Sequence, residues 1–230
     1  MPRIIAIAGP KGSGKTSVAE YLRDHEDFEE VSFARPLKEF ARSVFQFTQD
    51  QLYGPSSLRE QPDERYPARS DARMDAEDRA VGKLGDWFID EVAHYSSQKR
   101  RWVEDAMDDW LTFIMRHPET WTPRFILQTL GTEFGRQLHP DVWVRWAFAA
   151  IRKHKYPKVV ISDARFDNEF VSIVKNGGEL WSIERPKLVH TDAHASEQDM
   201  RGVVLERLKT RTLVNDKSLT DLFDFVRTIV

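Results

Sequence analysis

The chain has 230 residues, 34 Lys+Arg against 37 Asp+Glu for a formal net charge of −3, and no Cys. That length suits one domain enlarged by an insert, and the missing Cys excludes a disulfide framework, a thiolate metal site and thiol catalysis. The absence of a basic excess argues against stable nucleic-acid binding, and no apolar run approaches the ~18 residues needed to cross a bilayer, so the expected setting is the cytoplasm.

In chain order, Ile4–Ala8 is a continuous apolar run of β-branched character, as in a strand buried on both faces. Gly9-Pro10-Lys11-Gly12-Ser13-Gly14-Lys15-Thr16 follows and satisfies G-x-x-x-x-G-K-[ST], with Thr16–Asp24 reading as a helix behind it. Strand, loop and helix form the setting this phosphate-binding motif requires. Glycines at 9, 12 and 14 let backbone N–H groups converge on phosphate oxygens. Lys15 suits the β- and γ-phosphates, and the Thr16 hydroxyl suits Mg2+. The expectation is an ATP site made by Gly12, Ser13, Gly14, Lys15 and Thr16.

Phe28–Phe33, Lys158–Ser162, Glu179–Ile183 and Thr212–Val214 read as further strands separated by helical patterns. Such alternation predicts an α/β fold with a parallel sheet between helices. In Pro36–Phe47 the apolar residues Leu37, Phe40, Ala41, Val44 and Phe45 recur at helical steps. Between about Gly54 and Glu119 the character changes. Arg59–Asp78 is charged, holds Pro62 and Pro67, and reads as a long loop, whereas Ala80–His94 and Lys99–Arg116 read as helices. Thr122 is an N-cap before Pro123 and a helix running to Leu138. Trp143 lies on an apolar helical stripe with Ala147, Ala150 and Ile151. Ser218 and Asp221 make a capping box ahead of the stripe Leu219, Leu222, Phe223 and Val226.

Five segments carry a family likeness: Gly9–Thr16; Phe33-Ala34-Arg35-Pro36-Leu37-Lys38; Trp121–Arg124 through Leu130–Glu133; Ile161–Glu169; and Val214–Leu219. On these the sequence resembles the phage-type deoxynucleoside monophosphate kinases, and more distantly the wider nucleoside monophosphate kinase group. The resemblance implies a P-loop kinase with a five-stranded parallel sheet, a helical acceptor-binding insert at about 54–120 and a lid-like segment at about 187–211. It implies that ATP and Mg2+ phosphorylate a deoxynucleoside 5′-monophosphate, and it allows a homodimer in the cytoplasm of an infected host.

Residue by residue, the resemblance implies that Lys11 bridges donor and acceptor phosphates. It sets Ala34 and Lys38 against the monophosphate, with Arg124 and Arg136 supplying positive charge. Gly131 and Thr132 would let base or sugar approach the backbone, and Trp143 would offer an aromatic face. Asp163 takes an Mg2+-linked role, and Arg165 with Glu169 completes the nucleoside pocket. Of Arg59, Arg65, Arg69 and Arg73, Arg65 is the choice for the acceptor phosphate. In the lid-like segment, Arg201, Arg207, Lys209 and Arg211 would neutralise the transferring group, and His194 lacks a second ligand at metal-binding spacing. On the residues alone, Lys11 and Lys38 also suit solvent-facing positions, Trp143 suits core packing and Asp163 suits a cap.

Ala164 and Asp167 stand where the family would have a β-branched residue and a proline, and Lys217 replaces a turn glycine. The nearest alternative is a P-loop kinase for another phosphorylated metabolite, of the phosphomevalonate or dephospho-coenzyme A type. More distant alternatives are an ATPase or DNA 5′-end kinase, and a silent nucleotide-binding module.

Overall fold

The computed structural model describes residues 2–10, 12–87, 100–186, 208 and 210–230. Lys11, the end of the 80–94 helix beyond Trp87, and residues 187–207 and 209 with His194, Arg201, Arg207 and Lys209 lie outside the described residues. The chain divides into two units, residues 1–33 with 147–230, and residues 34–146.

The first unit is a five-stranded sheet in the order β2-β3-β1-β4-β5, comprising β1 (Arg3–Ala8), β2 (Glu29–Val31), β3 (Lys158–Ile161), β4 (Glu179–Glu184) and β5 (Thr210–Val214). Every pairing is parallel, with Ile5 opposite Val160 on one side of β1 and Ile7 opposite Trp181 on the other. Central β1 must be apolar on both faces. Ile5 and Ile7 pack with Val18, Ala19 and Leu22 of α1 (Lys15–His25) and with Leu222 and Val226 of α10 (Leu219–Ile229). Ile4 points the other way, toward Ile173 of α9 (Asp167–Lys175); a Cβ on Gly178 would lie within 3.2 Å of both side chains.

Strand β2 is shorter than the sequence suggests, because Phe33 gives its N–H to the Asp163 carboxylate, at 3.0 Å, instead of extending the ladder. Ser218 caps α10 as the capping box predicts. Leu219, however, is 49 % exposed, because it opens the helix before the buried stripe of Leu222 and Val226 begins.

The second unit contains α2 (Arg35–Phe45), α3 (Gln49–Tyr53), α4 (Ser56–Glu60), α5 (Asp71–Trp87), α6 (Arg100–Met115), α7 (Pro123–Thr129), a π-helical segment (Leu130–Arg136) and the start of α8 (Val142–His154). Its core is aromatic. Phe45 packs edge-on against Tyr66, Trp110 and Trp121, with ring centroids 5.8–6.4 Å apart.

The expected loop over 59–78 is corrected: α4 reaches Glu60 and α5 starts at Asp71. The helical period there is masked because one inward position is an arginine. Arg73, Ala76 and Ala80 lie three and four residues apart and are all fully buried. The Arg73 guanidinium donates to the carbonyls of Tyr66, His117 and Glu119, and lies 4.5 Å from the centroid of the Trp121 ring. Burial accordingly pulls its pKa below the ordinary arginine value.

The helix expected from Pro123 to Leu138 also changes character, turning π-helical from Leu130 to Arg136. Gly131 and Gly135 lie inside this wider turn. A Cβ on Gly135 would come within 2.1 Å of the Trp143 ring, so the indole takes the room that a side chain would need.

Candidate active site

In the first unit the loop after β1 adopts the backbone its glycines permit. Gly9, Gly12 and Gly14 have φ of +146°, +79° and +111°, all in the region that side chains rarely enter. Gly14 serves as N-cap of α1 and has no side-chain capping bond, and the first turn carries no acidic residue. The N-terminal donors and dipole of α1 therefore favour an anion at the loop.

Lys15 turns back over the loop, its Nζ 2.5 Å from Gly9 O and 2.8 Å from Pro10 O. Its charge thus lies on the strand side of the loop, while the exposed Thr16 hydroxyl stands at the start of α1. Ser13 is fully buried.

Asp163 follows β3, the strand paired in parallel with β1, so the loop and this carboxylate share the C-terminal edge of the sheet. That edge is where open α/β sheets hold ligands. Asp163 accepts from Ser32 Oγ at 2.6 Å and from Phe33 N–H at 3.0 Å, which fixes both carboxylate oxygens. Next to it, Ser162 Oγ donates to Glu30 of β2 at 2.5 Å, a second tie between β2 and the connection after β3.

Glu169 is 2 % exposed and accepts from the N–H groups of Arg165 and Phe166 at 2.6 and 3.0 Å. It caps the start of α9. The Arg165 side chain is exposed.

Of the residues expected to bind the acceptor, Ala34, Lys38, Arg65, Arg124, Gly131, Thr132, Arg136 and Trp143 fall in the second unit. Lys38 is half-buried on α2 with its Nζ 4.2 Å from the Tyr53 ring centroid, and Ala34 is the N-cap of that helix. Arg65 grips the buried Asp63 through Nε and Nη2, at 2.9 and 2.6 Å, and donates from Nη1 to Gln46 O. Burial alone would raise the Asp63 pKa, but hydrogen bonds from Arg65 and Gln51 outweigh it and hold the carboxyl below its ordinary value. The pair raises the Arg65 pKa in turn.

Arg65 also belongs to a row of donors at the end of α2. Lys83, Arg79, Tyr66 and Arg65 bond the carbonyls of Ser43, Val44, Phe45 and Gln46 respectively. Cations at a helix C-terminus suit its dipole.

Arg124 lies in the first turn of α7, its Nη2 2.9 Å from Glu60 and its buried Nε without a hydrogen-bond partner. Thr132 donates from its hydroxyl to Gln128 O at 2.7 Å, and Arg136 ends the π-helical segment. Trp143 is 3 % exposed and donates Nε1–H to Gly131 O at 3.0 Å. The buried indole packs against Gly135, a setting that its apolar helical stripe with Ala147, Ala150 and Ile151 also suits.

Ser32, Asp63, Arg185 and Asn215 were not singled out by sequence. Ser32 and Asn215 do flank or fall within the segments that carry the family likeness, which is the only pointer to them. Asp63 enters the sequence reading only as part of Asp63-Glu64-Arg65, the local match that favours Arg65, and Arg185 is only one more basic residue near the lid-like segment.

Three comparisons bear on this arrangement. The family model described as deoxynucleotide monophosphate kinase matches residues 3–226. A protein of Acanthamoeba polyphaga mimivirus, provisionally named a deoxynucleotide monophosphate kinase, is 29 % identical over 96 % of this chain and 92 % of its own length. The deoxynucleoside-5′-monophosphate kinase of Escherichia phage T5 is 28 % identical over 74 % of this chain and 70 % of its own. A dephospho-CoA kinase from Campylobacter jejuni covers all of this chain and 96 % of its own, but its TM-score of 0.43 at 12 % identity is too low to carry an argument.

Proposed function

This chain belongs to the deoxynucleotide monophosphate kinase family, a family of phosphotransferases, and on that premise we propose that it transfers the γ-phosphoryl of ATP to a deoxynucleoside 5′-monophosphate, yielding the diphosphate and ADP. The observation that carries the proposal is the shared sheet edge. A glycine loop with three positive φ angles and Lys15 stands on β1, and a carboxylate held by two hydrogen bonds stands on its parallel neighbour β3. The family premise supplies the acceptor class.

The loop N–H groups and the α1 terminus bind the triphosphate, and Lys15 neutralises charge on its β- and γ-oxygens. The acceptor phosphate is already an anionic nucleophile, so transfer needs no general base. Catalysis rests on alignment and charge neutralisation. Arg124, with its unbonded Nε, and Arg65, fixed by Asp63, supply acceptor-side charge, assisted by Lys38 and Arg136. Lys11, Ala34, Gly131, Thr132 and Arg165 keep their resemblance-based roles within this proposal, whereas the buried Trp143 and Glu169 shape the nucleoside pocket rather than contact the nucleotide.

Among the described residues, no three His, Asp or Glu side chains gather as a metal site. A hydroxyl and one carboxylate nevertheless fit Mg2+, which takes most of its remaining oxygen ligands from phosphates and water. Thr16 and Asp163 would hold the ion, directly or through water, and it would supply charge neutralisation on the phosphate oxygens.

The test is ADP release from ATP–Mg2+ with dGMP, dTMP, dCMP, dAMP and their ribose counterparts. Turnover with one or more deoxynucleotides is expected, and the pattern assigns the base. ATP binding with every monophosphate inert would overturn the acceptor assignment.

A further inference from the structure

Resting on the ATP site proposed above, we infer that Asn215 is a positioning residue that holds the phosphate-binding loop in its binding form from outside. Asn215 follows β5 and is only 6 % exposed. Its own N–H donates to Glu184 O at the end of β4, at 2.7 Å, which fixes its backbone to the sheet. From that anchor Nδ2 donates to Ser13 O at 2.8 Å, joining residues 202 positions apart. The acceptor is a carbonyl, so the amide's nitrogen end must face it.

The consequence follows from the planarity of the peptide. In a trans peptide the C=O and the following N–H point in opposite directions. A Ser13 carbonyl drawn outward by Asn215 turns the Gly14 N–H the opposite way. That peptide joins Ser13 to Gly14 and turns about Ser13 ψ and Gly14 φ, and the positive φ of Gly14 lies where glycine has the most freedom to flip. Without a restraint, the loop would lose this orientation first.

Packing reinforces the hydrogen bond. A Cβ on Gly14 would lie 2.8 Å from Asn215 Nδ2, so glycine is required both by its φ of +111° and by the amide against it. The carbonyls of Gly9, Pro10 and Gly12 have their own donors. Lys15 Nζ bonds those of Gly9 and Pro10, and exposed Arg185 bonds that of Gly12 at 3.1 Å. Among the described residues, only the tie to Ser13 is buried and comes from a residue with no charge to offer a phosphate. Asn215 therefore acts on the anion through the backbone.

The decisive probe is inorganic tripolyphosphate, which has no base or sugar. Calorimetric Kd values for ATP and tripolyphosphate are compared in wild type, Asn215→Ala and Asn215→Asp, alongside KM for both substrates. Asn215→Asp keeps the volume and replaces the donor with an acceptor, so it remains informative if the alanine variant folds poorly. We expect about a tenfold weakening for tripolyphosphate and ATP alike, a matching rise in KM for ATP, and an unchanged KM for the deoxynucleotide.

Weakened ATP binding with unchanged tripolyphosphate binding would mean that Asn215 touches the base or sugar, and would overturn the inference. Unchanged Kd values, or equal losses for both substrates, would also overturn it. Failure of the wild type to bind either phosphate would instead remove the ATP site itself.

Discussion

The Ser32 hydroxyl donates to the Asp163 carboxylate at 2.6 Å, across the end of the sheet where β2 stops and β3 leaves. The same carboxylate accepts Phe33 N–H at 3.0 Å, immediately before α2 begins. Asp163 thus ends one strand and orients the exit from another while standing beside the phosphate loop. A hydrogen bond to an ionised acceptor is stronger than a neutral one, so losing it should loosen the carboxylate without unfolding the sheet.

Ser32→Ala is expected to lower kcat by about tenfold and to raise the Mg2+ concentration for half-maximal rate. KM for ATP should change little. Asp163→Asn should lower kcat on the order of a hundredfold. Steady-state rates across an Mg2+ titration check both, and a Ser32→Ala enzyme with wild-type rate at every Mg2+ concentration would separate the serine from the chemistry.

Lys15→Ala removes the cation that lies over the loop start. The expected loss in kcat is on the order of a hundredfold or more, with circular dichroism and thermal unfolding close to wild type. The two carbonyls left behind, of Gly9 and Pro10, belong to the loop rather than to the sheet core. Near-wild-type turnover would refute the assigned role.

The sheet was legible in the sequence because its central strands β1 and β3 are apolar runs and helical patterns separate the shorter candidates, and the loop because its motif fixes residue types that only that backbone accepts. Ser218 and Asp221 likewise announced α10. What was not legible depended on contacts distant in sequence. Arg73 occupies a core position of α5, so the polar pattern there read as loop although three backbone carbonyls and Trp121 satisfy the guanidinium. The π-helical segment was hidden because the close approach of Trp143 to Gly135 involves a residue eight positions further on, which local periodicity does not register. Asn215 and Ser32 became visible only when the strand ends met, since neither contact is encoded by spacing. Among the described residues, no helix is long and apolar enough to cross a membrane, in line with the hydropathy of the chain.

The two glycines of the π-helical segment should respond differently to alanine. At Gly135 the new methyl would meet the Trp143 ring at 2.1 and 2.7 Å, and a packed indole cannot step aside cheaply. Overpacking of that kind costs about 1–3 kcal/mol, so Gly135→Ala should lower Tm by several degrees. At Gly131 the nearest atom is Leu37 Cδ2 at 3.0 Å, the free end of a flexible side chain. The gain in helix propensity, up to about 1 kcal/mol, offsets that contact, and Tm should stay near wild type. Thermal unfolding of the two variants decides it. Equal losses would contradict the packing assigned to Trp143.

His139 gives the second unit a pH dependence whose sign is fixed. Burial lowers its pKa, the nearby Arg145 lowers it further, and Asp141 opposes them without prevailing. Its Nδ1 accepts Asp141 N–H at 2.9 Å, a bond that protonation at that nitrogen would break. The folded chain therefore disfavours the proton, whereas the unfolded chain takes it up near the ordinary value of ~6.5. The histidine's contribution to stability is fully present above that value and is lost as pH falls toward the lower folded pKa. Thermal unfolding between about pH 7.5 and pH 5 should show the wild type losing stability faster than His139→Gln. The gap between them should be widest at the alkaline end and close toward the acid end. Curves that remain parallel across the range would mean that His139 titrates alike in the folded and unfolded chains.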